Sequence, residues 1–152
     1  MSTSREAIRT AVVARAVVRP LQLAVLRPGQ TMTPGDLVDE PGAFYVAAYE
    51  PLGSVLGVAS FLPEPHPDRA DELDGWRLRG MASDPGHRGE GYGEAALRRG
   101  MVEAAHRGGR SLWCNARTVA VGFYDRLGFV REGAEFVTGT GIPHYRMQRP
   151  LP

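Results

Sequence analysis

Lysine is absent from this chain of 152 residues, and all eighteen basic side chains are arginine. No lysine nucleophile or Schiff base is therefore available, and the Gly-Lys-Ser/Thr of a Walker loop is missing. Cysteine occurs once, as Cys114, which excludes an internal disulfide and a zinc site built on several thiolates. Charge of one sign is lacking as well: eighteen arginines face seventeen acids, for a formal net charge of +1. That balance gives no electrostatic footprint for nucleic acid. No apolar run approaches the ~20 residues of a membrane span. The opening MSTSREAIRT is charged and lacks the long apolar core of a secretory leader. A cytoplasmic protein with neither a nucleic-acid nor a membrane partner is expected.

What is present fits one globular domain over residues 1–152, with 43% hydrophobic and 23% charged residues. Val13, Val17, Leu21 and Val25 recur every four residues and predict a helix within 7–26, after a short strand near Ile8. Pro20 argues against a single straight helix. Its arginine face reads as solvated, although a basic apolar helix could also lie on a membrane or partner. Two strands, Ala43 to Tyr49 and Val55 to Leu62, flank a hairpin turn at Pro51-Leu52-Gly53-Ser54. Residues 63–75 read as an exposed loop, and Trp76 to Met81 alternates as a third strand. A helix bearing Leu97, Met101, Val102 and Ala105 follows, then a strand from Ser111 to Cys114. Thr118 or Asn115 is placed to cap a second helix, with Ala120, Phe123, Tyr124 and Leu127 on one face. Strands over Phe129 to Val137 and His144 to Gln148 close the chain. This order predicts a mixed sheet covered by helices.

The main signal is His87-Arg88-Gly89-Glu90-Gly91-Tyr92-Gly93-Glu94. Three alternate glycines let the backbone turn tightly and approach a ligand closely. The helix that follows begins with amides that have no partner inside it, which makes an anion site suited to a diphosphate. Arg88 can add a charge-assisted bond. A flexible strand-to-helix connection would look the same. The turn lies too far along the chain for a dinucleotide fingerprint.

Arg88 to Gly93 resembles the Arg/Gln-x-x-Gly-x-Gly/Ala motif of the GCN5-related N-acetyltransferase (GNAT) family, and Met81-Ala82-Ser83-Asp84-Pro85 resembles the strand end that enters it. Asn115, Ala120 and Phe123-Tyr124-Asp125-Arg126-Leu127-Gly128-Phe129 resemble a later block of the same family. The likeness covers residues 76–130. Trp113 to Arg117 and Gly141 to Met147 are similar to small bacterial members rather than histone-modifying ones.

The resemblance implies an α/β (α+β) acyl-CoA N-acyltransferase fold, a mixed sheet splayed at the cofactor and flanked by helices. It implies acetyl-CoA as donor and a small-molecule or peptide amine as acceptor, and members often pair as homodimers. Cofactor binding would fall to the backbone of Met81 and Ser83, to Arg88, Gly89, Glu90, Gly91, Tyr92, Gly93 and Glu94, and to Asn115. Tyr124 would protonate the departing thiolate; a packing tyrosine is the plainer role. The strand from Trp76 to Met81 lacks the family's usual carboxylate, so Glu50, Glu135 and His144 are the remaining candidates for the base. Arg77, Arg79 and Arg117 could attract an anionic acceptor or simply be solvated. Cys114 reads as a buried hydrophobe rather than a nucleophile, and His66, His87, His106 and His144 lack metal-ligand spacing. A non-catalytic acyl-CoA-binding module is the competing reading.

Overall fold

The pattern over 7–26 divides in two. Arg9–Val13 forms strand β1 and Arg15–Leu26 forms helix α1. The computed structural model describes residues 7–152, so the first six residues of the segment weighed as a leader lie outside the described residues. The buried stripe differs from the expected one: Val17 is exposed, while Val18, Leu21, Gln22 and Val25 face inward. A helix turns every 3.6 residues, so a strict four-residue series drifts off the buried face and an 18-21-22-25 series stays on it. Pro20 sits within α1 without ending it. Its missing N–H would have bonded the Ala16 carbonyl. Both residues are exposed, so water can take that carbonyl.

The chain continues as β2 (Phe44–Tyr49), β3 (Val55–Leu62), β4 (Gly75–Ser83), α2 (Tyr92–His106), β5 (Ser111–Arg117), α3 (Val121–Arg126), β6 (Val130–Val137) and β7 (Pro143–Pro150). On α2 the buried face is Ala96, Leu97, Met101 and Ala104, and the expected Val102 is exposed. β5 runs three residues beyond its predicted end, so Asn115 is a strand residue and caps nothing. Thr118 caps nothing either, its hydroxyl donating to the Glu135 carboxylate at 2.8 Å.

The strands make a mixed seven-stranded sheet in the order β1-β2-β3-β4-β5-β7-β6, flanked by helices. β1 and β2 pair antiparallel, as do β5 with β7 and β6 with β7. β4 and β5 are parallel, and their pairing runs only from Gly75↔Ser111 to Arg77↔Trp113. Both strands continue, to Ser83 and Arg117, with backbone not committed to that ladder.

The contacts divide the chain into two compact units. One ends at Ser60 and takes in Gly80–Gly100. Its core joins Val18, Tyr45, Ala47, Val58 and Ala82. Gly57 lies so close to the start of α2 that a Cβ there would sit 2.5 Å from the Tyr92 carbonyl carbon and oxygen. The other unit comprises Phe61–Arg79 and Met101–Pro152. It buries Leu112, Cys114 and Ala116 of β5, Met147 of β7, and Tyr124, Leu127 and Phe129.

The 63–75 loop is not uniformly exposed. His66 is 2% exposed, its Nδ1 accepts the Asp68 amide at 3.0 Å, and its Nε2 faces Glu132 at 2.9 Å. Trp113 Nε1 donates to the Glu64 carbonyl at 2.9 Å. These bonds tether the loop to β5 and β6.

A methyl group at Gly57 must displace backbone rather than a flexible side chain. Gly57→Ala is expected to lower unfolding stability by about 1–3 kcal/mol, read as a lower urea midpoint at unchanged slope.

Candidate active site

The glycine turn is entered through Asp84, whose amide donates to the Leu56 carbonyl at 2.9 Å and whose Oδ1 accepts the Gly86 amide at 2.9 Å. A short 3₁₀ turn, Pro85–His87, follows. Gly89 and Gly91 then adopt φ of 79° and 92°, a region that side-chain-bearing residues rarely enter. The Glu90 amide is tied to the His87 carbonyl at 3.3 Å, so Glu90 does not offer a free donor as expected. The first helical bond is Ala95 N–H to the Gly91 carbonyl at 3.0 Å. Among the described residues, the amides of Gly91, Tyr92, Gly93 and Glu94 find no acceptor. Four consecutive donors at the start of a 15-residue helix carry partial positive charge.

The same turn packs on the end of β4. A Cβ at Gly93 would lie 2.5 Å from Ser83 Oγ and 3.1 Å from Met81 Cε. Met81, Ser83 and the turn are thus brought together by the absence of a side chain at Gly93. Arg88 is exposed, with no ion pair among the described residues. Glu94 would repel an anion, but Arg98 one turn on holds its carboxylate at 3.0 Å. This set fits a diphosphate.

The other unit holds Tyr124 and Asn115. Tyr124 is 6% exposed and packs edge-on between Phe123 and Phe129, with ring centroids 5.2 and 5.3 Å away. Burial, and secondarily the neighbouring Cys114, push its hydroxyl pKa well above the usual value. The phenol therefore stays protonated through neutral pH and beyond. Asn115 Oδ1 accepts a long 3.5 Å bond from Arg146 Nε. Cys114 is 2% exposed, and burial pushes its thiol pKa up to about 12, only slightly opposed by Arg77.

Of the candidate bases, Glu50 is engaged in its hairpin. It accepts the Ser54 amide at 2.9 Å, and backbone hydrogen bonds from Ser54 and Leu52 hold its carboxyl below the usual range. That makes it a weaker proton acceptor. Glu135 is bonded to Thr118 through one oxygen. His144 Nδ1 lies 2.7 Å from the Ile142 carbonyl, and the ring stacks on Phe136. A carbonyl only accepts, so Nδ1 bears the hydrogen and Nε2 of the neutral ring keeps its lone pair. Arg77 is not an open anion contact: Nη1 donates to Glu64 at 3.0 Å and the guanidinium covers Trp113. Arg79 and Arg117 are not free either. No cluster of metal-ligating side chains exists among the described residues.

Three neighbours of this site were not singled out in the sequence. Gly80 has φ of 63° inside β4, and its carbonyl is held by Gln22, itself bonded to Ser60. A lone glycine within the alternating WRLRGM run is the available signal; nothing local marks Gln22 or Ser60.

Comparison with known proteins bears on the family and the fold. The model of the Acetyltransferase (GNAT) family matches residues 15–129. The protein named "Uncharacterized N-acetyltransferase YitI" of Bacillus subtilis (strain 168) is 31% identical over 120 residues, spanning 77% of this chain and 79% of its own. A GCN5-related N-acetyltransferase structure from Kribbella flavida matches with a TM-score of 0.69 at 24% identity, over 95% of this chain and 98% of that one. An aminoglycoside 6'-N-acetyltransferase complexed with coenzyme A matches with a TM-score of 0.74 at 14% identity, over 95% of this chain and 97% of that one. The two structures speak to the fold alone.

A thiol with a pKa near 12 is almost wholly un-ionised at pH 8. The native protein should leave Cys114 unmodified by a chromogenic disulfide reagent over minutes and release one thiol equivalent in denaturant. Rapid native reaction would contradict its burial.

Proposed function

Because this chain belongs to the acetyltransferase (GNAT) family, we propose that it transfers the acetyl group of acetyl-CoA directly to a primary amine. The family makes it an N-acetyltransferase with the acyl-CoA N-acyltransferase fold. The finer assignments, including the acetyl donor and a single catalytic domain over 1–152, are our reading. The observation that carries it is the run of unpaired amides from Gly91 to Glu94. A diphosphate is the part of acetyl-CoA that such donors hold best. Arg88 and Gly89 would complete its surroundings, with Glu90 contributing shape rather than a donor. The backbone of Met81 and Ser83 and the side chain of Asn115 would bind the pantetheine arm.

The amine nitrogen attacks the thioester carbon, and the carbonyl oxygen becomes an oxyanion. A backbone amide of the β4 end, that of Met81, would stabilise that charge. Collapse breaks the C–S bond, and Tyr124 gives its proton to the departing thiolate. The ammonium proton must leave before attack; Glu135, His144 or water would take it, Glu50 being disfavoured by its lowered pKa. Acetyl transfer through Cys114 is disfavoured by the same burial that keeps it a thiol. The acceptor is a small-molecule or peptide amine. A cytoplasmic location and a homodimer belong to the same reading; no helix among the described residues is long and apolar enough to cross a membrane.

The lack of a carboxylate on β4 favours a second reading, an acyl-CoA-binding module without turnover. Calorimetry with acetyl-CoA and CoA, then thiol release with a panel of amines, separates the two. Binding without thiol release supports the second, and no binding rejects both. In the catalytic case Tyr124→Phe should lower kcat by about a hundredfold or more with a small change in KM. Burial raises the tyrosine pKa, so its acid form survives past pH 10. The wild-type kcat should therefore show no alkaline fall below pH 10 attributable to this residue. An unchanged kcat in the phenylalanine variant removes Tyr124 as the acid.

A further inference from the structure

Gln22 is 2% exposed, a polar side chain on the inward face of α1. Its Nε2 donates to Ser60 Oγ at 2.7 Å and to the Gly80 carbonyl at 2.9 Å. Two hydrogens meet two acceptors, and because a carbonyl cannot donate, the orientation of the carboxamide is fixed. Gln22 Oε1 takes a weaker 3.5 Å bond from Arg19 Nη1, and Arg19 Nε is held by Asp36 at 2.8 Å. A buried amide is costly when a hydrogen is left unbonded, and with both engaged it rigidifies the backbone it holds. The partner is informative. Gly80 is the β4 residue with positive φ, and a Cβ there would collide with the Gln22 amide. Its carbonyl points to a side chain, and its peptide joins it to Met81.

We propose that Gln22 is a positioning residue for acetyl transfer: by holding the Gly80 carbonyl it fixes the plane of the Gly80–Met81 peptide and so the direction of the Met81 amide. A trans peptide is planar, with its C=O and N–H pointing opposite ways. Pinning the oxygen toward α1 therefore aims the Met81 N–H away from α1. Glycine at position 80 permits the backbone angle, and the Gln22 amide selects it from the many that glycine allows. This inference rests on the proposed function, in which the Met81 amide meets the developing oxyanion; the structural clamp itself does not.

The test compares wild type with Gln22→Met, which keeps the side-chain length and removes both donors. Amide hydrogen exchange is followed across residues 80–83, with Val58 and Ala59 of β3 as the internal reference, alongside kcat and KM for acetyl-CoA. Exchange at 80–83 should accelerate about tenfold relative to the reference. Displacing a donor from a reacting oxygen should lower kcat by about ten- to a hundredfold while the KM for acetyl-CoA changes less than about threefold. Ser60→Ala, which spares the bond to Gly80, should resemble wild type in both. Unchanged exchange at 80–83 in Gln22→Met, or equal loosening in Ser60→Ala, overturns the clamp.

If the methionine variant does not fold, Gln22→Glu decides. A carboxylic acid donates to the Gly80 carbonyl only while protonated, so relative protection at 80–83 should rise on acidification in this variant and not in wild type. Equal pH behaviour overturns the proposal. Absence of thiol release in wild type defeats the proposed function while the exchange experiment still decides the clamp. Normal turnover in Gln22→Met defeats the positioning role alone.

Discussion

Backbone N–H groups from Gly91 to Glu94, without an acceptor among the described residues, are the constraint that the surrounding structure answers to. Helix α2 must begin where no side chain or preceding strand can cap it. That requires positive φ at Gly89 and Gly91, and a missing Cβ at Gly93 so that the helix can settle on Met81 and Ser83. It also requires Gly57, since β3 passes against the Tyr92 carbonyl. Glycine at four positions thus serves one end, close approach of backbone to backbone with donors left outward. The β4–β5 ladder repeats the theme: it stops at Arg77↔Trp113 while both strands run on.

Much of this was legible because it was written in local rules. The glycine spacing announced the turn, and alternation or helical period announced β2, β3, β4, α2 and β7 close to where they lie. Errors arose where the deciding contact was distant in sequence. On α1 the expected Leu21 and Val25 do face the core, but Val18 replaces Val17 because it packs on Tyr45, Ala47 and Val58, partners that a four-residue spacing cannot reveal. Asn115 resembled a cap because Asx side chains favour caps, but pairing with Arg146 across β7 extends the strand through it. His66 sits in a proline-rich stretch that reads as exposed, and its burial depends on Glu132, sixty-six residues on. Tyr124 was identifiable as a candidate, but its aromatic enclosure was not.

The all-arginine composition acquires a structural sense. Arg19 bonds Asp36, Arg77 bonds Glu64 and stacks on Trp113, Arg98 bonds Glu94, Arg107 bonds Glu103, and Arg149 donates to the Leu127 carbonyl at 2.6 Å. A planar guanidinium can serve a carboxylate and an aromatic face at once, which an ammonium does less well. Exposed pairs of this kind add little stability. Their effect is to neutralise charge locally around each of these paired arginines. Arg88, like the exposed Arg99 and Arg126, has no ion pair among the described residues, and it lies next in sequence to the glycine turn.

One physical cause bears differently on what two neighbouring side chains could do. Desolvation raises the pKa of both Tyr124 and Cys114. For a thiol this is disabling, because the thiolate is the nucleophile and burial disfavours it. For a phenol asked to supply a proton it leaves the acting neutral form intact, while the raised pKa makes that phenol a weaker donor. The aromatic enclosure that keeps Tyr124 protonated also limits access of bulk water to the ring. A double-displacement route through cysteine and a direct route ending in proton transfer from tyrosine therefore make opposite demands on the same environment. The burial found around β5 and α3 opposes the first route and is compatible with the second.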